Sequence, residues 1–339
     1  MTESADEVAV IGAEAVEPRV SSPFVKLARL ALGLALLAWV LAGVEWSDLR
    51  GLRGRIDSAW LLVLVLMTPL TVAVSVWKWQ LLLHARGHRL SAPSLYGLYV
   101  LGQFFNQVLP TSVGGDVARG VAVGRRIGDT EAAFASIFVE RLTGLSVLLG
   151  LTTLALLASP AARANTLILT LAAATVAGYL AVVGAILDDR LLPAASRVLG
   201  RFTLASRALE RIADFGSSLR AHREHPATLI AAFALSLLFH LGALFTGYAA
   251  CRALGQGASV WTVAAATLLA QTVAVLPLSI GGIGLMEWAF VTIFAASGLS
   301  AAAGAATMLA IRLNAIVFSL FGYLVYLMLQ TRSTPIREA

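Results

Sequence analysis

Residues 108–115 read VLPTSVGG, and residues 275–282 read VLPLSIGG. The surroundings match as well. Each element follows an apolar arm containing glutamine, Gln103 and Gln107 in the first and Gln271 in the second. Each leads into a short helix bearing an acid, Asp116 or Glu287, and then into a long apolar span carrying an arginine, Arg141 or Arg312. Pro110 and Pro277 end the arriving arm and act as hinges, since proline donates no backbone hydrogen bond inside a helix. Gly114, Gly115, Gly281, Gly282 and Gly284 permit tight or left-handed backbone. The following helix would then offer free N–H groups and a positive dipole end to an anion. A tight re-entrant turn with Asp116 as its N-cap accounts for one such element equally well. The recurrence of the element favours a pathway.

The rest of the chain sets these elements in a membrane. It is 58% apolar and 13% charged, with a mean hydropathy of +0.83. The apolar residues fall in blocks of the roughly 20 residues that a membrane-spanning helix needs. Blocks 24–44, 58–83, 130–158, 165–187, 226–251 and 301–330 read as six full spans. Two regions remain, 92–127 and 259–298, each too short or too charged to count as an ordinary span. Both read as re-entrant hairpins, because irregular backbone at membrane depth survives only inside protein or along a wet cavity. The second is more apolar, and a true pair of spans fits it with the same parity. The expected fold class is thus an all-α polytopic membrane protein of six full transmembrane helices plus two re-entrant or paired-helix hairpins. Three spans separate the two hairpins, so the repeat has inverted topology, with halves at about 58–187 and 226–330. Inverted repeats of broken helices place substrate sites near the midplane in transporters.

Charge fixes the expected orientation. The net charge is +6, and Arg and Lys concentrate on the side holding the N-terminus, the 84–129 and 188–225 segments and the tail 331–339. By the positive-inside rule that side is cytoplasmic, placing both termini there in a cell (cytoplasmic) membrane. The basic residues are interleaved with apolar blocks, which argues against a nucleic-acid partner. Residues 1–23 are acidic and read as a disordered tail; 188–225 reads as a basic amphipathic helix on the leaflet or as a solvated linker. Between the tails, 24–330 forms one membrane domain. A homodimer is compatible with its Gly- and Ala-rich faces.

Charges inside spans are costly and usually paired or functional. Glu140 and Arg141 are adjacent and point about 100° apart on a helix, so each needs a partner elsewhere. Arg119 is the candidate for Glu140, Asp116 for Arg141, and Glu287 for Arg312, with Asn314 beside it. Arg119, Arg141 and Arg312 are the candidate phosphate contacts; Asp116, Glu140, Glu287 and Asn314 are the candidate counter-ions or gates. Lys78, between Trp77 and Trp79, reads as a snorkelling interfacial lysine or as a headgroup contact, His84 and His88 as loop residues, and His240 as an interhelical hydrogen bond. The single Cys251 allows no intrachain disulfide, and no HExxH, CxxC, GxSxG or P-loop pattern is present. No metal or cofactor is expected, and a catalytic role would have only Asp116, Glu140 and Glu287 to work with.

The combination NQVLPTSVGGDVAR at 106–119, VERLTG at 139–144, LPLSIGGIGLME at 276–287 and IRLN at 311–314 resembles the lysylphosphatidylglycerol synthase transmembrane-region family, whose members are also called flippase-like membrane proteins. The resemblance covers about 24–330 and implies that Gly114, Gly115, Asp116, Arg119, Glu140, Arg141, Gly281, Gly282, Gly284, Glu287 and Arg312 are the family's motif positions. In its bifunctional members the region precedes an aminoacyl-transferase domain and is held to move the charged lipid between leaflets. This sequence stops at Ala339 without that domain. The expectation is therefore translocation of a phospholipid or lipid-linked anion and not synthesis. Stand-alone relatives are associated with varied lipid pathways, including hopanoid and polyprenyl-linked ones. The rival expectations are a membrane enzyme of lipid or lipid-linked glycan metabolism and a non-catalytic partner of a lipid-synthesis enzyme.

Overall fold

A computed structural model describes residues 56–108, 114–158, 163, 166–187, 226–276 and 279–331, together with isolated helical positions between 27 and 42. The expected span 24–44, the amphipathic segment 188–225, both tails and the hinge prolines Pro110 and Pro277 lie outside the described residues, in whole or in most part.

The described chain is helical, with no strand. Its long elements are α1 (Ser58–Ala85), α2 (Ala92–Val108), α3 (Gly114–Ile127), α4 (Thr130–Ala158), α5 (Thr166–Leu187), α6 (Pro226–Ala253), α7 (Val260–Val275), α8 (Leu285–Ala296) and α9 (Ala301–Thr331). A 3₁₀ turn, Ile280–Gly282, joins α7 to α8. Among the described residues, α1, α4, α6 and α9 are long and apolar enough to cross a membrane. The six-span reading is therefore met by four helices; α5 is a helix of 22 residues, and the first expected span is not described.

These helices are apolar on all faces, as lipid on one side and protein on the other require. In α1, Leu62, Val65, Leu66 and Leu70 face outward, while Leu64, Val72, Val76 and Trp79 are buried. Polar backbone at the helix starts is met locally. The Asp57 carboxylate accepts from Ala59 and Trp60 N–H at 2.9 and 3.2 Å. Asp129 caps α4 by accepting from Ala132 N–H at 2.8 Å. That bond, with the His88 ring 3.3 Å away, holds the Asp129 carboxyl below the usual carboxylate range. His84, read from sequence as a loop residue, sits instead in the last turn of α1, which continues to Ala85.

Packing pairs the two halves. α1 lies antiparallel against α6: Asp57 N–H donates to the Ala253 carbonyl at 2.9 Å at one end, and Lys78 reaches Ser236 toward the other. Gly242 allows this approach, since a Cβ there would lie 2.7 Å from Thr71. The contacts that α2 makes with α3, and α3 with α4, recur between α7 and α8 and between α8 and α9. The hairpins then cross over, α2 packing on α9 and α7 on α4. One core, around Val76, Trp79, Leu95, Val123 and Ile137, underlies the first half; the other, around Val263, Leu269, Phe290, Phe294 and Met308, underlies the second. The hairpin arms α2, α3, α7 and α8 have 17, 14, 16 and 12 residues, each short of a full crossing.

Candidate functional site

Arg141 falls 11 residues into α4, and Arg312 falls 11 residues into α9. At 1.5 Å per residue each lies about 16 Å along its helix. Each meets a carboxylate from the second hairpin helix of its own half, 25 residues back in sequence.

In the first half, Arg141 grips Asp116 with two parallel bonds, Nε to Oδ2 at 2.8 Å and Nη2 to Oδ1 at 2.7 Å. This bidentate fork is the strong form of an arginine–carboxylate pair. Asp116 also accepts from Arg119 Nε at 3.1 Å. Arg119 in turn places Nη1 2.8 Å from Glu140 Oε2. Its guanidinium lies over both the Trp79 and Tyr99 rings, 4.8 and 4.6 Å from their centroids, so cation–π attraction adds to the pair. Tyr99 Oη donates to Glu140 Oε1 at 3.1 Å. Arg119 is 2% exposed, whereas the Arg141 side chain is 55% exposed. The network therefore has a locked inner cation and an open outer one.

In the second half, Arg312 Nε donates to Glu287 Oε1 at 2.6 Å. Glu287 is 1% exposed, and its other oxygen accepts from Gly284 N–H at 2.8 Å. Gly281, Gly282 and Gly284 have φ of 60°, 68° and 81°. Only glycine takes these values freely, and a β-carbon on Gly282 would also meet Ala274 and Met286 at 2.9 and 3.0 Å. That backbone turns the Gly281 and Gly282 carbonyls toward the Arg312 Nη atoms, both at 3.4 Å.

Several sequence expectations change here. The helix starts were expected to offer free N–H groups. The Gly115 N–H is instead taken by Asn106 Oδ1 at 2.8 Å, and that of Gly284 by Glu287. Side chains of the same hairpin satisfy these two donors. Asn314 does not join Arg312: its amide donates to the Leu64 carbonyl at 3.0 Å and to Thr68 Oγ1 at 2.7 Å, fastening α9 to α1. Lys78 does not snorkel. It is 5% exposed, and its Nζ donates to the Glu140 carbonyl at 2.9 Å and to Ser236 Oγ at 3.0 Å. Arg141 is less buried than a mid-span arginine was expected to be. Gly114 begins α3, half-buried beside this network. His240 meets the Gly144 carbonyl at 3.0 Å. Sequence reasoning missed Trp79, Tyr99 and Asn106. Nothing in their spacing marks them, because each is recruited from another helix. No cluster of three or more His, Cys, Asp or Glu suited to a metal occurs among the described residues.

Long apolar helices carrying paired charges define a multi-pass α-helical membrane protein. The family model for the lysylphosphatidylglycerol synthase TM region matches residues 26–322, and the chain belongs to that family. Searches of curated proteins and of solved structures returned no match.

Proposed function

We propose that this chain translocates a lipid with an anionic phosphate headgroup between membrane leaflets. One observation carries the reading: in each half a hairpin carboxylate holds an arginine 11 residues into the next long helix, and α1 and α6 run antiparallel. This is the arrangement expected of an inverted-topology repeat with two re-entrant hairpins opening to opposite sides. The Asp116–Arg141 and Glu287–Arg312 pairs then act as alternating clamps. A phosphate competes with the carboxylate for the arginine, and the hairpin is released from the span when it wins. Arg141, half-exposed, is the first contact. An apolar groove of about 370 Å³, lined by Val147, Leu151, Leu154, Phe233 and Leu237, lies between α4 and α6 and suits acyl chains. The family's link to a lipid synthase supports a lipid substrate.

Arg141→Ala is expected to lower leaflet exchange of an anionic lipid at least about tenfold, the equivalent of one lost charge-assisted contact. Purified variant and wild type, reconstituted at equal amounts into liposomes with a fluorescent phosphatidylglycerol, give the comparison. Equal exchange rates would remove Arg141 from the path.

A further inference from the structure

Lys78 lies within the membrane-length part of α1, yet among the described residues no carboxylate comes within ion-pair distance of it. Its two hydrogen bonds go to neutral oxygens, the Glu140 carbonyl and Ser236 Oγ. A neutral amine has two N–H donors, and both are matched here. An ammonium has a third, and no acceptor for it is found among the described residues.

The surrounding charges sharpen the point. Tyr99 comes from α2, Asp116 and Arg119 from α3, Glu140 and Arg141 from α4, and Ser236 and His240 from α6. Both carboxylates are engaged: Asp116 by Arg141 and Arg119, Glu140 by Arg119 and Tyr99. If Lys78 is charged, three basic side chains face two acids. An uncompensated charge away from water is unfavourable. The second half has no such excess. Counted from the start of each helix, Thr246 stands in α6 where Lys78 stands in α1, and Glu287 and Arg312 balance one to one.

Resting on the translocase reading, we infer that Lys78 takes up and releases a proton in step with headgroup occupancy. With the site empty, burial and the excess of basic side chains favour the neutral amine of Lys78 over its ammonium. When a monoanionic phosphodiester sits at Arg141, a proton from bulk water converts –NH2 to –NH3+, and the cluster with its ligand is again near neutral. The proton returns to water when the anion leaves. Anion transfer is thereby coupled to one proton, and a proton gradient biases its direction.

The test is calorimetric titration of the purified full chain in detergent with dihexanoyl phosphatidylglycerol, run at about pH 9, where the free amine of a buried lysine predominates, in two buffers of different ionisation enthalpy. Dimethyl phosphate serves as a second probe, to separate recognition of the diester alone from recognition of the lipid. Wild type is expected to take up about one proton per anion bound, as linkage requires of a group whose protonation follows the ligand. Lys78→Gln, whose amide keeps two N–H donors, is expected to bind with no proton uptake. Binding without uptake by wild type, or equal uptake by Lys78→Gln, overturns the inference and leaves the anion site standing. Absence of binding of either probe to wild type overturns the anion site and the inference together. If the variant does not fold, the wild-type pair of buffers still decides.

Discussion

Arg119→Met is expected to destabilise the protein by about 3–5 kcal/mol, the range found when one member of a buried ion pair is removed. The loss would come less from the missing attraction than from what remains. Glu140 would keep only the Tyr99 hydroxyl at 3.1 Å, as a buried carboxylate that has lost its ion-pair partner, with Lys78 bonded to its backbone carbonyl and not to its carboxylate. The Trp79 and Tyr99 rings, now facing a thioether, would also lose their cation–π contact. Asp116 is protected, because both its oxygens stay bonded to Arg141. The double variant Arg119→Met/Glu140→Gln should therefore recover most of the loss, since no charge is left unpaired. Thermal unfolding in detergent, followed by tryptophan fluorescence, measures both. A single variant that melts with wild type would mean that the inner pair contributes nothing.

Gly115→Ala is expected to be the most damaging small substitution in the hairpin. A β-carbon there would overlap the Gly102 carbonyl oxygen and approach the Gly102 carbonyl carbon to 2.7 Å and Asn106 Cγ to 2.8 Å. The first two are backbone atoms of α2, and no rotamer change relieves them. Overpacking of this kind costs about 1–3 kcal/mol and more where backbone must move. Parting α2 from α3 would also break the Gly115–Asn106 bond and shift Asp116, which begins the charge network. Gly150→Ala is the control. Nothing lies within 4 Å of that position, and alanine is favoured over glycine inside a helix by about 1 kcal/mol. A Gly115→Ala protein as stable as Gly150→Ala would contradict the close α2–α3 contact.

The part of this structure most legible in the sequence was its charge pairing. Acids and arginines are so few inside the apolar blocks that Asp116, Glu140 and Glu287 had few partners to choose from, and the structure joins them to Arg141, Arg119 and Arg312. The duplicated Pro-Gly-Gly elements likewise led to the paired short helices. Facing was not legible. Helices that are apolar all round carry no periodic signal of which side meets protein, so Lys78 read as interfacial although Trp77 beside it is exposed and Trp79 is buried. Nor does spacing reveal that Asn314 spends its amide on Leu64 and Thr68, about 250 residues earlier in the chain. The free N–H groups at the hairpin glycines were a reasonable expectation from backbone alone. At Gly115 and Gly284 they are taken within the chain, by Asn106 and Glu287.

Translocation itself is tested most directly by wild-type protein in liposomes whose inner and outer leaflets carry a dithionite-reducible phosphatidylglycerol. Protein-free vesicles lose only the outer-leaflet fluorescence. If the paired clamps carry headgroups across, vesicles holding the wild-type chain lose the inner-leaflet fluorescence as well, and those holding Arg141→Ala do so far more slowly. Retention of the inner-leaflet signal by wild-type vesicles, with and without an imposed proton gradient, would contradict the translocase reading.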